Sequence, residues 1–326
     1  MPDPKKHHFL PQFYLDGFRI TPQTSKYAQI QVIPKMATPK PFLSAIKDTG
    51  CEFNYHTVDA DPVLKDRKSL EMAFAETEGR QAEVIKSVVS NRKISFKEKQ
   101  VLAFFVSIMR VRVPSYKRYI EQFLQENVQS MTRMEFRKGR LPKPPKVIED
   151  LIKKQGGDIF KVLEVKISNW MILLQMINTV VGSNIPSIIE KMNFSLVEAP
   201  NDNQFVTCDS PVTLYVPNYE IRKPYGIGLL DREVEVCIPL NKQYLLLASW
   251  QQLPLHQIAS PKNMVEFNRR TIIMADKFIY SSSVFDGLLK QISTLHSKTA
   301  GFQLSTLDYG NGFCHITRFI PVSNQE

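Results

Sequence analysis

The spacing of apolar residues predicts a helical region in the middle of the chain. A period near 3.6 runs from Ser69 to about residue 90, and serine is a common helix N-cap. Ser95 and Glu98 have the spacing of a capping box, and Pro114 should stop or kink the helix that they begin. Further helices are predicted over residues 116–131, 145–154 and 158–181.

Alternating apolar and polar positions predict strands near both ends of the chain. The predicted strands cover residues 27–34, 53–58, 194–198, 204–208, 212–216, 233–238, 243–248, 276–280 and 313–321. Residues 201–203 are predicted to form a hairpin turn, and two late helices are predicted over 260–275 and 285–296.

This order of elements predicts an α+β protein. The helical middle region, about 69–190, should pack with a mostly antiparallel sheet built from the C-terminal strands and short N-terminal strands. We expect a single domain over 1–326, with a possible subdivision into 1–190 and 191–326.

Composition narrows the class of protein. The 326 residues are 43% hydrophobic, as in soluble globular proteins. The longest apolar run, 170–181, is shorter than the roughly 20 residues of a membrane span and is predicted to be a buried helix. The four cysteines are scattered without metal-finger spacing, which suits a reducing compartment. We therefore expect a cytoplasmic protein without a membrane partner.

The positive charge is concentrated in one region. Of the net +10, all the excess lies before residue 161, and residues 86–146 hold fifteen basic side chains against four acidic ones. Such a surface would attract the phosphates of a nucleic acid, although charge runs are often only solvated helix faces. The candidate nucleic-acid-binding residues are Arg112, Lys117, Arg118, Arg137, Lys138, Arg140 and, on the late helix, Arg269.

Adjacent histidines near the N-terminus are the densest cluster of possible chemistry. His7 and His8 precede a short predicted helix between Pro11 and Gly17. Neutral imidazole is a common ligand of zinc and manganese-type ions. A solvated tail, or an ordinary packing pair, is the plainer interpretation of the same two residues.

The block 5–18 resembles the opening of a bacterial family, domain of unknown function 4238, which begins with a His-His-x-x-Pro-x-x-Tyr-Leu pattern. Further matches follow in order at 53–57, Leu70-Glu71, Glu78, 110–114, 205–211, 238–240, 268–270, Ala275 and Tyr280. Members of that family often carry Gln before the Arg-x-Pro element, where this chain has Ser107, Ile108 and Met109. The resemblance implies a shared fold, allows a shared site and supplies no activity.

With this resemblance, one candidate set of catalytic residues emerges. His7, His8, Glu78 and Asp209 could together hold a divalent ion, Mn, Mg or Zn, that activates water. Arg110 could then stabilise phosphate charge in a transition state. The plainer roles are an inter-helix salt bridge for Glu78 and a local turn for Asp209.

Three functions remain open at this stage. The leading hypothesis is a metal-dependent phosphodiesterase or nuclease that acts on nucleic acid through the His/Glu/Asp site and the basic helices. The first alternative is a non-catalytic module that binds nucleic acid or an acidic partner through the same helices. The second is an enzyme acting on a small phosphorylated nucleotide or metabolite, which would need a closed pocket. The oligomeric state is left open.

Overall fold

The computed structural model describes residues 6–22, 25–57, 69–157, 159–200, 203–217, 219 and 226–323. Within 69–75 it describes the backbone alone. Helices and mostly antiparallel sheets share the described chain, so the predicted α+β class is confirmed.

The N-terminal segment forms short strands around one small helix. Strand β1 (Lys6–His8) pairs antiparallel with β4 (Cys51–Phe53), and helix α1 (Gln12–Asp16) lies between β1 and strands β2 (Gln29–Pro34) and β3 (Phe42–Ala45) along the chain. The predicted strand over 27–34 is thus confirmed over most of its length. The strand predicted over 53–58 is wrong, because the chain turns at Asn54, whose φ of 57° is left-handed and is tolerated by asparagine.

Four helices follow: α2 (Ser69–Asn91), α3 (Phe96–Val111), α4 (Pro114–Arg137) and α5 (Lys146–Lys154). The predicted capping box is confirmed, since the Ser95 side chain accepts from the Glu98 backbone N–H and Glu98 accepts from that of Ser95. Pro114 separates two helices as expected and occupies the first position of α4, where a missing N–H costs nothing. Helix α4 continues six residues beyond the predicted end at 131.

The helix predicted over 158–181 is wrong over residues 159–168. A short 3₁₀ turn (Ile159–Lys161) comes first, and α6 (Asn169–Val181) begins only where the Ser168 side chain caps it. The expected cap at residue 158 lies outside the described residues. Helix α7 (Ile185–Lys191) follows after a break at 182–184.

By length and composition alone, Asn169–Lys191 is apolar enough to cross a membrane. In the structure this stretch is two helices. Four side chains of α6 are buried in the core, namely Ile172, Leu173, Met176 and Val180. The prediction of a buried helix therefore holds for one face of α6.

Two sheets form the second half of the fold. The strands are β5 (Asn193–Glu198), β6 (Thr207–Cys208), β7 (Thr213–Tyr215), β8 (Glu235–Pro239), β9 (Tyr244–Ser249), β10 (His256–Ile258) and β11 (Phe278–Ser281). One sheet has the order β10-β5-β9-β8-β7, with only β10 and β5 parallel, and the other has the order β3-β2-β11-β6. The predicted hairpin at 201–203 is wrong, because β5 and β6 belong to different sheets; residues 201–202 themselves lie outside the described residues.

The C-terminal part adds two helices and a hairpin. These are α8 (Pro261–Met274), α9 (Asp286–Leu295) and the antiparallel pair β12 (Gly301–Asp308) and β13 (Phe313–Ile320). The hairpin packs on α4, where the Phe302 ring stacks on Tyr119 at 4.8 Å. One cluster of buried apolar side chains joins Phe9, Leu102 and Phe319, so both ends of the chain contribute to the same core.

Candidate functional site

The two N-terminal histidines have different environments. His7 is buried, and its Nδ1 accepts a 2.7 Å hydrogen bond from the backbone N–H of His56. The two rings stack with centroids 5.7 Å apart, and burial holds the pKa of His56 well below its usual value. His7 therefore ties β1 to the turn after β4, which corresponds to the packing role.

His8 differs from His7 because one of its ring nitrogens has no hydrogen-bond partner among the described residues. Its backbone carbonyl accepts a 2.8 Å bond from Arg112 Nη2, whereas its Nε2 is shut off from solvent and has no partner among the described residues. Burial lowers the pKa of His8, so the imidazole is neutral near pH 7 and Nε2 is either a free acceptor or an unsatisfied donor.

Glu78 has the plainer of its two predicted roles. It accepts a 2.8 Å hydrogen bond from Nη1 of Arg112, whose side chain is buried at the end of α3. The hydroxyl of Tyr55 donates to the Arg112 carbonyl. Arg112 thus links α2, β1 and the turn after β4, and Glu78 is part of that structural link.

Asp209 lies just after β6 and is fully engaged by backbone. One carboxylate oxygen accepts from the N–H of Asp276 at 2.8 Å, and the other from the N–H groups of Lys277 and Phe278 at 2.7 and 2.9 Å. Burial raises the pKa of Asp209 to about 6, and the three donors oppose that rise. The carboxylate fixes the connection between α8 and β11.

The four predicted metal ligands are therefore not assembled as one ligand set. Glu78 faces Arg112, and Asp209 faces the 276–278 backbone. No group of three or more His, Cys, Asp or Glu side chains is placed to hold a metal ion within the part of the chain that the structure describes. As a set, these four residues do not fit the expected metal ion.

Arg110 lies elsewhere, in the wall of a cavity of about 410 Å³. The cavity is enclosed by the end of α3, the first turns of α4, the Ser210 segment and the β12–β13 hairpin. Its polar lining residues are Arg110, Ser115, Tyr116, Arg118, Tyr119, Gln122, Ser210, Asp276, Thr299 and Gln303.

The guanidinium of Arg110 is half-buried and has no counter-ion among the described residues. No described residue hydrogen-bonds to it, and its Nε is inaccessible to solvent. The group instead lies over two aromatic rings, 5.0 Å from the centroid of Phe302 and 5.4 Å from that of Phe319. Burial lowers the pKa of Arg110 to about 10, which leaves it charged at pH 7.

Other groups around Arg110 also favour an anion. The hydroxyl of Ser115 is 3.4 Å from that of Ser210, and both line the cavity. Ser115 is the second residue of α4, whose first N–H groups lack intrahelical acceptors and carry partial positive charge. Asp276 is the one carboxylate among the lining residues; its Oδ1 accepts from Arg118 at 2.6 Å, whereas its Oδ2 is buried without a hydrogen-bond partner among the described residues.

The predicted nucleic-acid-binding residues are mostly engaged within the protein. Arg118, Arg137, Arg140 and Arg269 form ion pairs with Asp276, Asp308, Glu135 and Glu266 in turn. Lys117 donates to the Tyr55 carbonyl and lies over its ring, and Arg112 pairs with Glu78. Lys138 is exposed and has no polar partner among the described residues.

Sequence reasoning found Arg110 and missed the residues around it. Ser210 lies in the 205–211 block that resembles the family, next to Asp209, which was predicted as a metal ligand. Phe302 and Phe319 gave no signal, because aromatic residues in a strand are ordinary core residues. Strand β12 was not predicted from the sequence, so the part of the cavity wall that it forms was not predicted either.

A family model described as "Protein of unknown function (DUF4238)" matches residues 6–284. The chain belongs to this family. The DUF4238 match includes Arg110, Ser115, Ser210 and Asp276, and it ends before the hairpin that carries Phe302 and Phe319. No curated protein and no solved structure matches the chain.

Proposed function

We propose that this protein binds a small phosphate-bearing molecule in the Arg110 cavity. The observation that carries the proposal is a half-buried, charged guanidinium in the cavity wall, without any carboxylate partner in the described chain. Removing a cation from water is costly unless an anion or a dense set of dipoles replaces the water. The two rings beneath Arg110 supply part of that compensation, and a bound anion would supply the rest.

Phosphate suits the surroundings of Arg110 in several ways. A guanidinium matches the geometry of phosphate oxygens with two parallel hydrogen bonds. The start of α4 and the hydroxyls of Ser115 and Ser210 offer further donors in the lining of the cavity. Arg118 offsets the charge of Asp276, so that the cavity keeps the positive charge of Arg110.

The cavity favours a small molecule over a polymer. Its volume of about 410 Å³ falls within the range of about 300–1,000 Å³ that is usual for small-ligand sites. Of the three functions considered from the sequence, the small phosphorylated nucleotide or metabolite is the one that requires such a pocket. The lining supports binding; it contains no histidine, and its one carboxylate is already paired.

Calorimetric titration of the full-length protein with inorganic phosphate and ribose 5-phosphate tests this proposal. Arg110→Met should weaken binding of both by at least about tenfold, because one charge-assisted interaction is lost. Arg140→Met is the matched control, since Arg140 is exposed and lies outside the cavity, and it should leave binding unchanged. Absence of binding to the wild-type protein, or equal loss in both variants, would overturn the proposal.

A metal-binding role for His8, without the other three predicted ligands, is a second proposal that one observation favours. His8 Nε2 is buried, without a partner and on a neutral imidazole, which is the form that binds metal ions. Elemental analysis of untagged wild type and His8→Ala, after incubation with manganese, magnesium and zinc, tests it. A stoichiometric metal that is lost in His8→Ala would support the proposal, and absence of metal from both proteins would remove it.

A further inference from the structure

The Arg110 cavity has a neighbour with which it shares a lining residue. A second cavity, of about 270 Å³, is lined by residues of β3, β4 and β11. Asp276 lines both cavities. Ser115 and Ser210 face the Arg110 cavity, while the residues just before them, Pro114 and Asp209, face the second one.

The second cavity differs from the first in its chemistry. Its walls combine four aromatic side chains with carboxylates; the aromatic ones are Phe9, Phe42, Phe278 and Tyr280. Phe42 is 49% exposed, so part of its side chain is accessible to a ligand. Glu52 also lines the cavity and has no polar partner among the described residues, whereas Asp48 is bonded to Lys6.

These groups select what can enter. The carboxylates outnumber the one cation of the lining, Lys277, and would repel a second phosphate or any other anion. A carboxylate accepts hydrogen bonds and cannot donate them, so Glu52 would bind a group that carries N–H or O–H donors. Exposed aromatic rings bind flat ring systems by stacking.

We infer that the ligand is a nucleoside monophosphate whose phosphate lies against Arg110 and whose base occupies the second cavity. The base stacks on Phe42 and donates from its N–H groups to Glu52, and the sugar lies at Asp276, which lines both cavities. Guanine fits best among the common bases, because N1–H and the 2-amino group can both donate to one carboxylate. This inference rests on the proposed phosphate site.

The test compares ligands that share the phosphate and differ in the base. Full-length protein is titrated with ribose 5-phosphate and with the 5′-monophosphates of guanosine, adenosine, uridine and cytidine. We expect guanosine monophosphate to bind at least about tenfold more tightly than ribose 5-phosphate, through stacking and the bonds to Glu52.

Variants in the second cavity separate the base from the phosphate. Phe42→Ala should reduce the affinity for guanosine monophosphate about tenfold and leave that for ribose 5-phosphate unchanged. Glu52→Gln should reduce the preference for guanine over adenine, since the amide replaces one acceptor by a donor. Phe53→Ala is the matched control, because Phe53 is an exposed phenylalanine of the neighbouring β4 that does not line the cavity.

The outcomes distinguish this inference from the proposed function. Equal affinity for ribose 5-phosphate and all four nucleotides would overturn the inference and leave the phosphate site standing. A loss of nucleotide affinity in Phe53→Ala as large as in Phe42→Ala would also overturn it. If no phosphate compound binds at all, the proposed function fails first, and the base site fails with it.

Discussion

Arg110 shows how a single side chain can indicate function through its energetic cost. Arg110 lines the cavity and has no counter-ion in the described chain, so replacing it should not destabilise the fold. We expect Arg110→Met to melt at the same temperature as the wild type or up to a few degrees higher in buffer without phosphate, because replacing buried charge by apolar volume is often neutral or stabilising by about 1 kcal/mol or more.

Added phosphate should reverse that order. Phosphate binds only the folded wild type and should raise its melting temperature with concentration, while that of Arg110→Met stays constant. Differential scanning calorimetry over a phosphate series measures both effects. A variant that unfolds well below the wild type in phosphate-free buffer would show that Arg110 is mainly a structural group stacked on Phe302 and Phe319.

Asp209 makes a prediction about pH. Its folded-state pKa of about 6 lies above the value of 3.8 for an exposed aspartate, so the native state binds more protons between these two values. The free energy of unfolding should therefore fall as pH rises from 4 to 7, by about 2 kcal/mol from this group. Asp209→Asn should lack this component, as measured by urea unfolding at each pH.

Asp308 provides a control, because its pKa is shifted in the opposite direction from that of Asp209. The hydrogen bond from Arg137 lowers the pKa of Asp308 to about 2, so its contribution is lost only as pH falls towards that value. Asp308→Asn should track the wild type between pH 5 and 7. If Asp209→Asn tracks the wild type as well, the three backbone donors hold the Asp209 carboxylate ionised at the pKa of an exposed aspartate.

At the scale of elements, we expect loss of the Arg112–Glu78 ion pair to lower the free energy of unfolding more than loss of an exposed ion pair. Arg112 is buried where α3 ends and bonds to both α2 and β1. Glu78→Gln keeps the shape of the side chain and removes its charge, which should cost about 2 kcal/mol of unfolding free energy. Glu149→Gln, in the exposed Glu149–Lys153 pair of α5, should change it by less than about 0.5 kcal/mol. Equal effects in chemical denaturation would contradict this difference.

Local signals decided which elements could be predicted from the sequence. The start of α3 was predictable because Ser95 and Glu98 complete their hydrogen bonds within one turn. The start of α6 was not, because Ser168 caps it while an earlier aspartate and a double glycine offered a more obvious boundary. Strand β6 has two residues and depends on pairing with β11, which is distant in sequence.

At the scale of the whole molecule, the candidate site could be predicted only in part. Arg110 was found because it begins the 110–114 block that resembles the family and because an arginine suits the stabilisation of phosphate charge. The cavity was not, because it requires β12 and β13 to pack on α4, and the sequence contains no local signal for that contact. The histidine cluster misled in a similar way: proximity along the chain placed His7 and His8 together, and folding gave them different partners.

The net charge of the protein and the partners of its basic residues together predict how strongly it binds DNA. A protein of +10 binds polyanions to some extent, but six of the seven basic residues predicted to contact nucleic acid already bond within the protein, and Lys138 has no polar partner in the described chain. We therefore expect weak binding to a 20-base-pair DNA with a shallow salt dependence. The logarithm of the association constant should fall with the logarithm of salt concentration with a slope no steeper than about −2, at roughly −0.9 per phosphate contact.

Fluorescence anisotropy over a salt series in the presence of chelator gives this slope. Lys138→Glu should make it shallower by about 1, whereas Lys290→Glu, on the exposed side of α9, should leave it unchanged. A slope steeper than about −5 would mean that the ion pairs of α4 open to bind phosphates, since only then could so many contacts form. That result would restore the basic helices as a nucleic-acid surface, and it would place the main ligand of this protein on α4 instead of inside the Arg110 cavity.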